Sequence, residues 1–140
     1  MNIQQLDHDL IRILEKRIAL SELAYNDAQY DDFEDALHSL EDAFSEEYDP
    51  YLETALQYVH NEYCPDSEVL TPIAYVPRRG LKQAGIRNLL PVYEAAGGEG
   101  VTVDAPGYGT SDTRMVLLPN PTRLVLMARG VAQQVVWEAE

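Results

Sequence analysis

The chain has 140 residues, of which 46% are hydrophobic, and its formal net charge is −14. This length and apolar share exclude wholesale disorder, and the excess of carboxylates argues against direct binding of nucleic acid, because phosphates require clustered cations. No apolar run approaches the roughly 18 residues of a membrane span, and the single cysteine, Cys64, allows no internal disulfide. We therefore expect a cytoplasmic protein without membrane contact.

The acidic residues are concentrated in the first half of the chain. Residues 1–68 carry eighteen acids and three bases, a net charge of −15, whereas residues 69–140 carry six acids and seven bases, a net charge of +1. Residues 18–77 contain no lysine or arginine. The change in composition predicts an acidic helical subdomain over residues 1–64 and a β-rich subdomain over residues 65–140, packed into one compact domain.

Three helices are predicted in the N-terminal part. Residues 3–24 place apolar side chains three and four apart, which is typical of an amphipathic helix. A second helix is predicted over residues 30–46, with an apolar face that consists of Phe33, Leu37, Leu40 and Phe44. Asp49 can cap a helix and Pro50 suits a first helical turn, so we predict a break at residues 48–50 and a third helix that ends before Pro65.

The C-terminal part is predicted to form strands, because prolines, glycines and β-branched residues replace the helical pattern. Strands are predicted over residues 71–77, 100–107, 113–119, 122–128 and 131–139, with a brief helix at 91–98. Closely spaced strands favour antiparallel pairing, so the expected class is α+β, with antiparallel helices on a mainly antiparallel sheet. A parallel crossover through the helix at 91–98 is an alternative.

The search for catalytic or metal-binding groups gives only weak patterns. His60 and Cys64 stand four apart, a spacing that can place two metal ligands on one helical face, but no second pair of ligands accompanies them. Ser111 precedes Asp112 on a glycine-rich loop, yet a serine nucleophile needs a nearby histidine and none occurs in residues 61–140. We therefore predict no catalytic residues, no metal and no cofactor.

The second helix is more acidic than solubility requires. Pairs such as Asp31 with Asp35 place like charges one helical turn apart, at a cost of about 0.2–0.5 kcal/mol per pair, whereas mixed charges give solubility without that cost. We therefore expect the acidic, tyrosine-bearing helices to dock on a basic protein partner, as an inhibitor, an immunity protein, a chaperone or a DNA mimic does. The predicted contact residues are Asp31, Asp32, Asp35, Asp42, Glu46, Tyr48 and Tyr51.

The concentrated positive charge of the chain gives the alternative hypothesis, a small-ligand-binding protein or an enzyme with its site between the two halves. The basic residues are Arg78, Arg79, Lys82 and Arg87. In this hypothesis Arg78 and Arg79 contact the ligand, together with acids from the helices. The same cluster is also expected to lie against the acidic helices and partly neutralise them. A third hypothesis is that the apolar helix faces pair with a second copy, giving a homo-oligomer.

Overall fold

The computed structural model describes residues 1–109 and 112–140, and within these ranges it contains two helices followed by six strands. Helix α1 spans Ile3–Glu22 and α2 spans Tyr30–Tyr63. The strands are β1 (Leu81–Arg87), β2 (Leu90–Ala95), β3 (Val101–Val103), β4 (Thr113–Leu118), β5 (Arg123–Ala128) and β6 (Gln134–Glu138). The α+β class is confirmed. Neither helix is long and apolar enough to cross a membrane.

The prediction of three helices is wrong, because α2 continues through Pro50 as one helix of 34 residues. Proline lacks an amide hydrogen, so the Glu46 carbonyl one turn earlier loses its helical partner. Pro50 is exposed, and water can reach this side of the helix. Tyr48 and Leu52, on either side of the proline, are buried in the core. Core packing therefore holds the helix together across a residue that local preference alone would place at a helix start.

The four-stranded sheet has the order β3-β4-β5-β6, and all its neighbours are antiparallel. The predicted strands at 113–119 and 122–128 are confirmed as β4 and β5, and the predicted strands at 100–107 and 131–139 shorten to β3 and β6. Both faces of the two central strands are covered, so nearly every residue in them is buried. These strands therefore read in the sequence as continuous apolar runs.

The second sheet is an antiparallel hairpin of β1 and β2, and it contradicts two predictions. Residues 91–98, predicted as a helix, supply most of β2, so the parallel crossover does not form. Residues 71–77, predicted as a strand, contain a short 3-10 helix at Pro72–Tyr75. The hairpin closes through Asn88 and Leu89, whose φ angles of 54° and 64° match the two-residue turns that fit the twist of paired strands. Residues 91–95 therefore form a strand because they pair with the neighbouring strand β1.

The four-stranded sheet lies between the helices and the hairpin. One sheet face packs on the helices and supplies Met115, Leu117, Leu124 and Leu126 to their core cluster. The opposite face packs on the hairpin and contributes Val116, Leu118, Val125 and Met127 to a smaller cluster with Ala95. The outward side of α2 is left uncovered by this layering.

A buried polar junction connects α1 to the turn between β4 and β5 and to the turn of the β1–β2 hairpin. The Asp7 Oδ1 atom accepts hydrogen bonds from the Asn120 amide at 3.1 Å and from the Thr122 hydroxyl at 2.6 Å. The Asn120 side-chain amide donates to three carbonyls at the hairpin turn, those of Arg87, Leu90 and Pro91. All three junction side chains are buried. Their hydrogen bonds replace those that water would otherwise make.

Candidate functional site

The outward side of α2 carries a line of exposed carboxylates that we call the acidic stripe. Its residues are Asp31, Asp35, Asp42, Glu46 and Glu53, all of them exposed. At 100° per residue they fall within about 60° around the helix, and at 1.5 Å per residue they extend over about 33 Å. Asp32 is also exposed and lies beside the stripe. The helix thus presents a narrow negative row along most of its length.

Glu53 belongs to the stripe because α2 is continuous. The sequence prediction assigned it to a separate third helix, and its alignment with the earlier acids was therefore missed. The spacing of the acids, alternating between four and seven residues from Asp31 to Glu53, continues past Pro50 without a change of phase. That spacing is the signal in the sequence that could have identified Glu53 as part of the same row.

The stripe carboxylates have no cationic partner in the described part of the chain. Helix α2 contains no lysine or arginine. The ion pairs within residues 1–109 and 112–140 are Arg17 with Glu41 at 3.4 Å and Arg114 with Asp112 at 3.6 Å, and neither includes a stripe residue. The expectation that the basic cluster neutralises the acidic helices is therefore wrong for these residues. The negative charge of the stripe faces solvent.

Asp49 shows how the stripe affects a neighbouring acid. Burial raises the pKa of the Asp49 carboxyl, the charge of Glu53 raises it further, and a hydrogen bond from Ser45 lowers it. The Oδ1 atom of Asp49 is buried and has no hydrogen-bond partner. A cation near this part of α2 would relieve both the repulsion and the poor solvation of the carboxylate.

The two predicted contact tyrosines lie in different environments. Tyr48 is buried, with an exposed fraction of 3%, and its hydroxyl donates to Asp9 Oδ2 at 2.6 Å. Burial is also the main reason that its pKa is raised. Tyr48 therefore links α2 to α1 and cannot contact a partner as predicted. Tyr51 is half-buried, and its ring lies 5.8 Å from that of Trp137.

Two residues of the basic cluster, Arg78 and Arg79, line an open cleft of about 740 Å³ between the helices and the residues that flank the hairpin. Arg17 joins them there. Its guanidinium donates to the carbonyls of Val76 and Pro77 and pairs with Glu41. Other polar side chains in the lining are Ser21, Tyr30 and His38. Lys82 and Arg87 lie on β1 and do not line the cleft, so the structure separates the basic cluster into two parts.

Glu99 forms one wall of this cleft. Its carboxylate accepts hydrogen bonds from the main-chain amides of Arg78 and Gly80, both at 2.8 Å. A β-carbon at position 80 would lie 2.7 Å from a Glu99 oxygen, so any larger residue there would require the Glu99 side chain to shift. The cleft therefore already contains a bound carboxylate beside Arg78 and Arg79.

The remaining chemical candidates do not form a site in the described residues. His60 is buried, and its ring nitrogens form hydrogen bonds, Nδ1 with the Ser67 carbonyl at 3.1 Å and Nε2 with the Tyr75 hydroxyl at 2.9 Å. Neither nitrogen is therefore free to bind a metal together with Cys64. Residues 1–109 and 112–140 contain no group of His, Cys, Asp and Glu arranged to hold a metal ion. Ser111 lies outside the described residues.

Comparisons of the chain with protein-family models, with curated proteins and with solved structures gave no match.

Proposed function

We propose that the protein binds a basic protein partner through the acidic stripe of α2. The partner surface would carry lysine and arginine side chains. The proposed role is that of a small acidic regulator of the inhibitor, immunity-protein, chaperone or DNA-mimic kind. Of the predicted contact residues, Asp31, Asp32, Asp35, Asp42, Glu46 and Tyr51 keep this assignment, Glu53 is added and Tyr48 is withdrawn.

The observation that carries the proposal is that, in the part of the chain that the structure describes, the stripe carboxylates form no ion pair that would hold the fold together. Its five carboxylates are exposed, and none takes part in an ion pair within the described ranges. They also repel one another, since Asp31 and Asp35, and likewise Asp42 and Glu46, are one turn apart. A row of like charges without a cationic partner inside the described part of the molecule is best explained by an interaction outside it.

The physics of such a row favours rapid and specific association. A partner with cations along a ridge or helix gains pairing energy at each carboxylate while the acids keep part of their hydration. The field of aligned charges also steers a cationic partner during its approach. The proposal therefore requires binding that weakens as salt rises.

The test compares three forms of the protein immobilised for capture from a lysate of the native host. The stripe variant carries Asp35→Asn, Asp42→Asn, Glu46→Gln and Glu53→Gln. The control variant removes the same number of charges from exposed acids outside α2, through Glu22→Gln, Asp66→Asn, Glu68→Gln and Asp104→Asn. We expect one basic protein to bind the wild type and the control, to elute with salt, and to be lost from the stripe variant. Equal capture by all three forms would contradict the proposal.

The cleft beside Arg78 and Arg79 supports a second candidate function, the binding of a small anionic ligand. The supporting observation is that three arginines, Arg17 included, converge on a cleft whose amides already hold the Glu99 carboxylate. A ligand carboxylate or phosphate would replace that side chain.

Calorimetric titration with inorganic phosphate tests the second candidate directly. Binding that is lost in Arg79→Ala and kept in Lys82→Ala, a basic residue outside the cleft, would support a ligand site. Absence of phosphate binding by the wild type, or its equal loss in both variants, would count against it.

A further inference from the structure

An aromatic groove lies between α2 and the edge strand β6, on the side of α2 that faces away from the acidic stripe. Tyr51, Thr54, Ala55 and Tyr58 of α2 and Trp137 of β6 line a groove of about 410 Å³. Tyr58 is 57% exposed, and Tyr51 and Trp137 are half-buried. The rings of Tyr51 and Trp137 lie 5.8 Å apart with their planes 59° apart. Three aromatic side chains thus line one surface groove, which no element of the described structure covers.

A bulge in β6 contributes to the position of Trp137. Val125 pairs with Val135, but the preceding residue, Leu124, pairs with Trp137, so Val136 is an extra residue in the strand. Such a bulge changes the direction of the side chains that follow it. Trp137 therefore packs against the helices at the edge of the sheet, where its ring meets Tyr51.

Carboxylates stand at both ends of this groove. Glu47, Tyr51, Tyr58 and Glu62 are four, seven and four residues apart on α2, which places them within about 60° on one side of the helix. Both glutamates are exposed. No lysine or arginine occurs in α2 or in residues 130–140. Glu138 differs from them, because it lies directly opposite Arg123 on the neighbouring strand β5.

We propose that this groove receives an arginine side chain from the cationic partner, an inference that rests on the proposed function and names its recognition chemistry. A guanidinium is flat and always charged, and it stacks on aromatic faces. Glu47 and Glu62 would attract its charge from either end. An apolar side chain would gain from the rings but would weaken the hydration of both carboxylates, so the charge pattern favours the cation.

Trp137 is the single tryptophan of the chain, so its fluorescence reports on this groove alone. The probe is a deca-arginine peptide, and its neutral counterpart is deca-citrulline, which has nearly the same shape without the charge. Tyr58→Leu keeps apolar area but removes the aromatic face. Tyr25→Leu is the matched control, because Tyr25 is 84% exposed at a distant part of the surface.

We expect deca-arginine to change the fluorescence of Trp137 in a saturable manner, and deca-citrulline to leave it unchanged. Tyr58→Leu should weaken the affinity by about fivefold, as the loss of one exposed cation–π contact predicts, whereas Tyr25→Leu should bind as the wild type does. The proposal is overturned if deca-arginine binds the protein without changing the fluorescence of Trp137, or if Tyr58→Leu binds deca-arginine as tightly as the wild type. It is also overturned if deca-citrulline gives the same change in fluorescence. A fluorescence change that depends on protein concentration without peptide would instead assign the groove to a second copy.

The stripe variant separates this inference from the function on which it rests. If the stripe variant loses peptide affinity and Tyr58→Leu does not, the acidic stripe binds cations and the groove proposal is wrong. If the stripe variant binds deca-arginine as tightly as the wild type, the proposed function itself is wrong.

Discussion

The acidic stripe and the buried polar junction use charge in opposite ways. Asp7, in the junction, is buried and accepts two hydrogen bonds, and Arg123 nearby donates to the carbonyls of Pro119, Pro121 and Tyr93. Burial lowers the pKa of Arg123, while Glu138, Glu94 and Asp7 raise it. The stripe acids are exposed and have no cationic partner in the described structure. The junction therefore serves the fold, and the stripe is free to serve binding.

The largest effect on stability should come from the junction. Asp7→Ala leaves the Asn120 amide and the Thr122 hydroxyl without an acceptor in a buried place, so we expect the free energy of unfolding to fall by about 3 kcal/mol. Urea denaturation at pH 7 measures this change. Asp35→Ala, the same substitution on the stripe, should change it by less than about 0.5 kcal/mol. Equal effects of the two substitutions would contradict the distinction between the regions.

A second substitution tests whether α2 is the continuous support of the stripe. Pro50→Ala restores an amide hydrogen inside the helix, so we expect the free energy of unfolding to rise by about 1–3 kcal/mol. Pro106→Ala is the control, because Pro106 begins a short 3-10 helix where no amide hydrogen is required. If Pro50 began a separate helix, its replacement would have as little effect as the control.

The stripe variant defined above should be slightly more stable than the wild type. It removes repulsion between Asp42 and Glu46 and between Asp49 and Glu53, at about 0.2–0.5 kcal/mol per pair, and it leaves Asp31 and Asp32 to interact favourably with the helix N-terminus. Calorimetric melting at pH 7 measures the difference. A loss of stability would show that the stripe contributes to the fold.

The same comparison depends on pH in a defined direction. The pKa of the Asp49 carboxyl is higher in the folded protein than its unfolded value of 3.8. The contribution of this group to stability is therefore complete below the unfolded pKa and is lost as the pH rises through the folded pKa. The difference in stability between the stripe variant and the wild type should therefore become smaller as the pH falls from 7 towards 4. An advantage that grows on acidification would contradict the cause given for the shift.

The smallest effect at neutral pH concerns Cys64, a core group outside both regions. Burial raises the pKa of its thiol from 9.0 to about 11. The stability associated with the neutral thiol is therefore complete below pH 9 and is lost as the pH rises through about 11. The difference in melting temperature between the wild type and Cys64→Ala should narrow over this range. A constant difference would show that the thiol does not ionise in the folded protein.

The sequence predicted elements whose own residues carry a clear apolar pattern and missed those that depend on pairing or packing with another segment. Helix α1 and strands β4 and β5 follow from apolar periodicity and from long apolar runs. Strand β1 was missed because most of its residues are exposed and because it contains one glycine and two basic residues, which are typical of a loop. Its strand conformation is evident only from its pairing with β2. The predicted break at Pro50 was wrong because tertiary packing overrides a local signal.

The candidate site was predicted in part for the same reason. The exposed positions of Asp31, Asp35, Asp42 and Glu46 follow from helical periodicity, and the structure agrees. Tyrosine is a residue type that is common at protein contacts, but Tyr48 lies on the side of α2 that faces the core. The groove around Trp137 could not be predicted, because it joins residues more than 70 positions apart through a bulge in β6.

The central claim is that the stripe, and not merely the net charge of the protein, binds cations. A labelled deca-lysine peptide spans about 33 Å when extended, which matches the length of the stripe, and fluorescence anisotropy measures its affinity at low salt and at about 150 mM salt. We expect the stripe variant to bind about 30-fold more weakly than the wild type, as four charges at about 0.5 kcal/mol each require, and the control variant to bind within about threefold of it. Equal weakening of both variants would show that only net charge matters and would contradict the claim.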